Sequence, residues 1–199
     1  MKSHYSIVAA ATVLWFSALP LGAQEVKETS FTTSAGERVL QQEIVVDAGL
    51  EQVWKTLTTS EGLRTFAAPV ITVELKTGGD WFANYRVGSK VGDPGTIHNT
   101  VLNYLPMEMF SIKIGLTDFF PKELRDANCL FSVLMLRDLG NNKVKVIESI
   151  VGWRNGPDWE KTYEFFRRGD AATLKVLYRR FKEGPIDWGK QDPYVKAHD

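Results

Sequence analysis

The chain has 199 residues, enough for one domain with a core of useful size. At 44% hydrophobic and 24% charged, with no long polar tract, the composition excludes a disordered or fibrous protein. Lys plus Arg and Asp plus Glu number 24 each, which argues against nucleic acid or an anionic membrane surface as a partner held by bulk charge.

In chain order, residues 1–23 read as a secretory signal. Lys2 precedes an uncharged run over 6–21 that ends in the small residues Gly22 and Ala23. Cleavage is expected after Ala23, which gives a periplasmic or secreted mature protein. An uncleaved anchor is the competing reading, but the uncharged run contains Pro20 and falls short of the roughly twenty residues that span a bilayer. Position 24 is Gln rather than Cys, so a lipid anchor is not expected, nor is an integral span once the leader is gone.

Residues 24–38 read as a flexible lead-in, 39–184 as the folded domain and 185–199 as a C-terminal tail. The first strand is expected over 39–46, where Leu40, Ile44 and Val46 stand among polar neighbours. Asp47 is placed to cap the next helix, in which Leu50, Val53, Trp54 and Leu57 recur at helical spacing. A short helix over 60–66 is stopped by Pro69.

Strands then follow in series over 70–75, 81–87 and 96–104, with turns at Gly78, Gly79 and in the cluster Gly88, Gly92, Pro94, Gly95. Phe110, Ile112 and Ile114 alternate with Ser111 and Lys113 as the next strand. Two more, over 128–137 and 143–153, are joined by a turn containing Gly140, Asn141 and Asn142. Cys129, the single cysteine, lies in this apolar stretch. It cannot close an internal disulfide or build a thiolate metal site, and reads as a small core residue.

The last element is a long helix, because Trp159, Tyr163, Phe166, Asp170, Leu174, Leu177 and Phe181 repeat every three or four residues. Pro157 suits its first position, and Gly184 with Pro185 stop it. Helices gathered at the two ends of a strand meander indicate an α+β domain.

Short motifs in this order resemble the START-like (SRPBCC) superfamily, in particular the branch related to activators of the heat-shock-protein-90 ATPase. They are VWKTLT at 53–58, ELKTGG at 74–79, NYLP at 103–106, Gly152 with Trp153, and GPIDW at 184–188. The resemblance implies a helix-grip fold, a curved antiparallel seven-stranded sheet around the C-terminal helix, with space between them that holds apolar ligands in many relatives. It implies no single activity, because the superfamily includes lipid carriers, hormone receptors, polyketide cyclases and co-chaperones.

No Ser-His-Asp signature, phosphate-binding glycine loop or metal-binding helix appears, and no cofactor or metal is expected. His98 reads as exposed or structural. Two carboxylates stand out. With Lys143 and Lys145 turned to water, Glu148 shares a strand face with Val144, Val146 and Ile150. Asp170 sits on the apolar stripe of the last helix, one turn from Phe166 and from Leu174. Pairing of each with an Arg, or a bulge that turns Glu148 outward, is the structural alternative. Gly169, unfavourable in a helix interior by about 1 kcal/mol against Ala, suggests close approach of sheet or ligand there.

The expected cavity lining is Phe110, Ile112, Val146, Glu148 and Ile150 from the strands, with Trp159, Tyr163, Phe166, Asp170 and Leu174 from the helix. The leading expectation is an exported module that binds a small apolar or lipid-like ligand. The alternatives are a cavity enzyme using Glu148 or Asp170 as acid or base, and a chaperone-like protein that binds a partner through its sheet or its 188–194 tail.

Overall fold

The computed structural model describes residues 25–190. The expected leader and the end of the tail, Tyr194 included, lie outside the described residues. Two short strands, β1 (Lys27–Glu28) and β2 (Phe31–Thr32), both pair antiparallel with β3 (Arg38–Val46). The lead-in is therefore laid along the sheet rather than apart from it. Thr29 and Ser30, between the two short strands, tie it down further, since the Thr29 N–H donates to the Gln41 carbonyl and Ser30 Oγ accepts from the Gln41 N–H.

After β3 come α1 (Leu50–Thr58) and α2 (Ser60–Arg64). Asp47 does not cap α1. The cap position is Gly49, with no side-chain bond, and exposed Asp47 faces Lys143 at 3.4 Å instead. Strands β4 (Val70–Val73), β5 (Asp80–Asn84), β6 (Ile97–Leu105), β7 (Met109–Lys113), β8 (Phe131–Gly140) and β9 (Lys143–Val151) form an antiparallel meander. Its last strand returns to pair with β3, so the seven long strands run β3-β9-β8-β7-β6-β5-β4. The helix α4 (Pro157–Glu183) lies against this curved sheet. The protein is a helix-grip α+β domain.

Several boundaries move for local reasons. β5 stops at Asn84, where the side chain accepts from the Arg86 N–H and turns the chain out of the ladder. β9 stops before Gly152, whose φ of +93° suits glycine and where a Cβ would collide with the Cys129 carbonyl. Between β7 and β8 the chain forms α3 (Lys122–Ala127), a helix too short to show a period. Asn128, expected to open a strand, closes α3 with φ +47°.

Two apolar clusters lie under α4. Leu40, Ile114, Leu124, Leu130, Ile150, Trp159 and Tyr163 pack at its N-terminal end. A larger cluster at the other end joins Leu174, Val176 and Leu177 to Ile44, Val46, Val144 and Val146 and to α1 through Val53, Trp54 and Leu57. Between them runs a polar band. On β3 Gln42 separates Leu40 from Ile44, on β9 Glu148 separates Ile150 from Val146, and on α4 Asp170 separates Phe166 from Leu174. Gln42, 3% exposed, donates from Nε2 to the Arg167 carbonyl at 2.9 Å and so ties the sheet to α4 at this level.

Candidate functional site

The polar band borders a cavity of about 870 Å³ between sheet and α4. Small-molecule sites run from roughly 300 to 1,000 Å³, so the volume is that of a ligand pocket rather than a packing defect. Its walls are mainly apolar and come from every layer: Leu57 from α1, Trp81 from β5, Phe110 and Ile112 from β7, Leu134 from β8 and Leu177 from α4. Strand parity positions them, because alternate residues of each strand face α4.

Glu148 and Asp170 both line this space. Neither is closed off by protein alone, since each keeps a part of its surface on the cavity, yet both are removed from bulk water. Desolvation pushes the Glu148 carboxyl up to about 7, against a smaller opposing effect of its hydrogen bond with Ser132. Asp170 is raised well above the usual carboxylate range, first by desolvation and then by the charge of Glu148. Its Oδ2 is buried and has no hydrogen-bond partner. The pair behaves as neighbouring acids that resist holding two charges at once. Such a pair can hold and release a proton near neutral pH or receive a hydrogen-bond donor from a ligand.

Tyr85 extends the set. It follows Trp81 and Ala83 on the same parity and lines the cavity just beyond the end of β5. As a residue it is 56% exposed, whereas its hydroxyl sits in desolvated surroundings that push it up to about 12, helped by the charges of Asp170 and Glu148. Tyr85 thus stands at the rim of the cavity. Phe119, 75% exposed, and Phe165, 46% exposed, also line the cavity, so it opens to solvent beside them. Phe119 packs on Phe120 at 5.2 Å, and Phe120 on Phe166 at 5.7 Å, which makes one side of the mouth aromatic.

Of the residues expected to line a cavity, Phe110, Ile112, Glu148, Ile150, Phe166, Asp170 and Leu174 do so. Val146, Trp159 and Tyr163 do not. Val146 is 0% exposed and fully packed within the larger cluster. Trp159 packs with Leu124 of α3 and donates to Glu123 at 3.3 Å, and Tyr163 meets Trp153 at 5.0 Å. Both precede the stretch of α4, over 165–177, that borders the cavity. Parity gives the face but not the distance along the helix, and α3 is too short to show a period.

Gly169 lines the cavity too, but nothing stands within 4 Å of where its Cβ would be. It marks open space, not close approach of the sheet. His98 faces outward, stacked at 4.4 Å on Phe82, its partner across β5 and β6, and 2.7 Å from Asp80. Cys129 donates weakly to the Gly152 carbonyl at 3.2 Å, as a packed thiol. Tyr85 and the Phe119, Phe120 pair were not singled out from sequence. The alternation of Trp81, Ala83 and Tyr85 carried the first. The second lies in a loop, where no period operates.

No family model matches the chain, and no curated protein matches it. Solved structures do. A conserved protein of unknown function from Enterococcus faecalis is 13% identical with a TM-score of 0.59, the match covering 86% of each chain. CalU16 from Micromonospora echinospora is 16% identical, TM-score 0.58, over 89% of this chain and 94% of that one. The Aha1 dimer from Colwellia psychrerythraea is 16% identical, TM-score 0.58, over 73% of this chain and 97% of that one. At these identities the likeness is one of fold, and the fold these proteins share with this chain is the helix-grip α+β architecture.

Proposed function

We propose that the protein is an exported carrier or receptor for a small, largely apolar ligand held between the sheet and α4. The observation that carries this reading is the cavity of about 870 Å³ with apolar walls and a few convergent polar groups. Its exposed aromatic rim supplies a route of entry at Phe119 and Phe165. Export is supported by the uncharged run over 6–21 behind Lys2. Expression of the full sequence in a Gram-negative host, followed by native mass spectrometry and solvent extraction, tests both parts. The expected product begins at Gln24 outside the cytoplasm and carries a small extractable adduct or takes up an apolar fluorescent probe. Cytosolic material retaining Met1 counts against export. Absence of both adduct and probe uptake counts against the cavity as a binding site.

The paired carboxylates favour a second reading, an enzyme that moves a proton on a bound compound. Under it, Glu148→Gln or Asp170→Asn binds the extracted ligand as before but loses turnover by about 10² to 10⁴. If the carboxylates only orient a ligand, the same variants change affinity instead.

A further inference from the structure

The cavity holds two acids and, among the described residues, no base to match them. Glu148 is flanked by Gln42 on β3 and Leu134 on β8, receives a hydrogen bond from Ser132, and shares the cavity lining with Asp170 on α4 and Tyr85. None of these carries positive charge. Among the described residues, Arg168 is the one cationic residue in the lining. It is exposed and donates from Nε to the Glu164 carbonyl at 3.3 Å. Neighbouring Arg167 turns to Glu164 and Glu28 on the outside. Asp170 Oδ2 is buried with no donor.

A buried carboxylate without a counter-ion is costly, and a donor on the ligand removes that cost. We infer that the ligand is a cationic amphiphile, an apolar body bearing one protonated amine that seats between Glu148 and Asp170. This rests on the reading of the cavity as a binding site and narrows its occupant. The apolar walls take the body of such a ligand and the polar band takes its head. An ammonium supplies the missing positive charge beside the two carboxyls, whereas a hydroxyl supplies only a donor and a carboxylate adds a third acid. The acids hold a proton near neutrality that an ammonium displaces, so amine binding releases a proton and strengthens as pH rises.

The test uses protein expressed from the full sequence and three probes of equal chain length, decylamine, decanol and decanoate. Binding is read from the fluorescence of Trp81, which lines the cavity, with the Trp81→Phe variant as the control for signal from other tryptophans. At about pH 8 decylamine is expected to bind at least about tenfold tighter than decanol, as one charge-assisted hydrogen bond warrants. Its affinity is expected to fall by about tenfold toward pH 6 while that of decanol stays flat, as release of one proton requires. Glu148→Gln and Asp170→Asn, checked for fold by circular dichroism, are expected to erase the amine preference and keep decanol binding. Decanol or decanoate binding as tightly as decylamine at pH 8 overturns the inference and leaves the cavity reading standing. Failure of all three probes overturns both.

Discussion

The N-terminal third of α4 and its middle face the same sheet, yet one is packed solid and the other bridges a hollow. Near its start, Trp159 and Tyr163 are buried against Leu40, Leu124, Leu130 and Ile150. Two turns on, Gly169 meets open space and Asp170 keeps an oxygen unpaired. Side-chain size accounts for much of the difference. The solid end is filled by an indole and a phenol, whereas Gly169, Asp170 and Ala172 present little volume to the sheet. A helix anchored by a packed cluster at each end can roof an unfilled centre, because each cluster buries apolar surface at roughly 25 cal/mol per Å². Stability and the candidate site are thus assigned to different stretches of one helix.

The largest effect expected from breaking this arrangement is at the solid end. Trp159→Ala, at a residue 2% exposed, is expected to destabilise the domain by about 3 to 5 kcal/mol in a urea melt. An effect under about 1 kcal/mol would show that this end is no better packed than the middle.

In the hollow the expected effect has the opposite sign and grows with pH. Below the ordinary value of 4.5, Glu148 is protonated in the folded and unfolded chain alike. As pH rises toward its folded value of about 7, the unfolded chain ionises first, so native stability is lost across that window. Glu148→Gln removes the loss. The variant is expected to match the parent near pH 4.5 and to exceed it above pH 7 by roughly 3 kcal/mol. Thermal melts of both proteins at several pH values check this, and parallel curves would mean that Glu148 is well solvated.

Much of this division was legible in the sequence. Alternation in β9 put Glu148 on the same face as Val144, Val146 and Ile150, and the period of α4 put Asp170 on its buried stripe. Both sit where those periods placed them. Periodicity gives a face, however, and not a depth. Trp159, Tyr163 and Val146 share faces with the cavity lining and are packed rather than open to it, because the extent of a void depends on how far α1 and α3 reach over the sheet. α3 left no periodic trace, and the Phe119, Phe120 rim owes its position to the loop that precedes it. The pairing of β1 and β2 with β3 was hidden for a related reason, since two-residue strands carry too few side chains to show alternation.

A smaller change sharpens the contrast from within the helix. Gly169→Ala adds a methyl group where nothing stands within 4 Å and replaces a poor helix former. The expected result is a gain of about 1 kcal/mol in a urea melt, together with weaker uptake of an apolar probe because the cavity is smaller. A loss of stability instead would mean that the space above the sheet at this point is already filled.

The smallest expected effect belongs to the outer face of the sheet. Ile97 and Asn99 on β6 line the cavity, so His98 between them points to water, where it stacks on Phe82 and meets Asp80 at 2.7 Å. Both partners of that ion pair are more than half exposed, and exposed pairs of this kind contribute little once solvent screening is counted. His98→Ala is expected to shift stability by less than about 0.5 kcal/mol and to leave probe affinity unchanged. Asn99 next to it accepts from the Gly115 N–H at 2.9 Å while bordering the hollow, so Asn99→Ala is expected to change probe affinity. The two neighbours occupy opposite faces of β6. If His98→Ala alters probe affinity as much as Asn99→Ala does, the parity of β6 is reversed and the wall of the cavity at this strand is formed by the other set of residues.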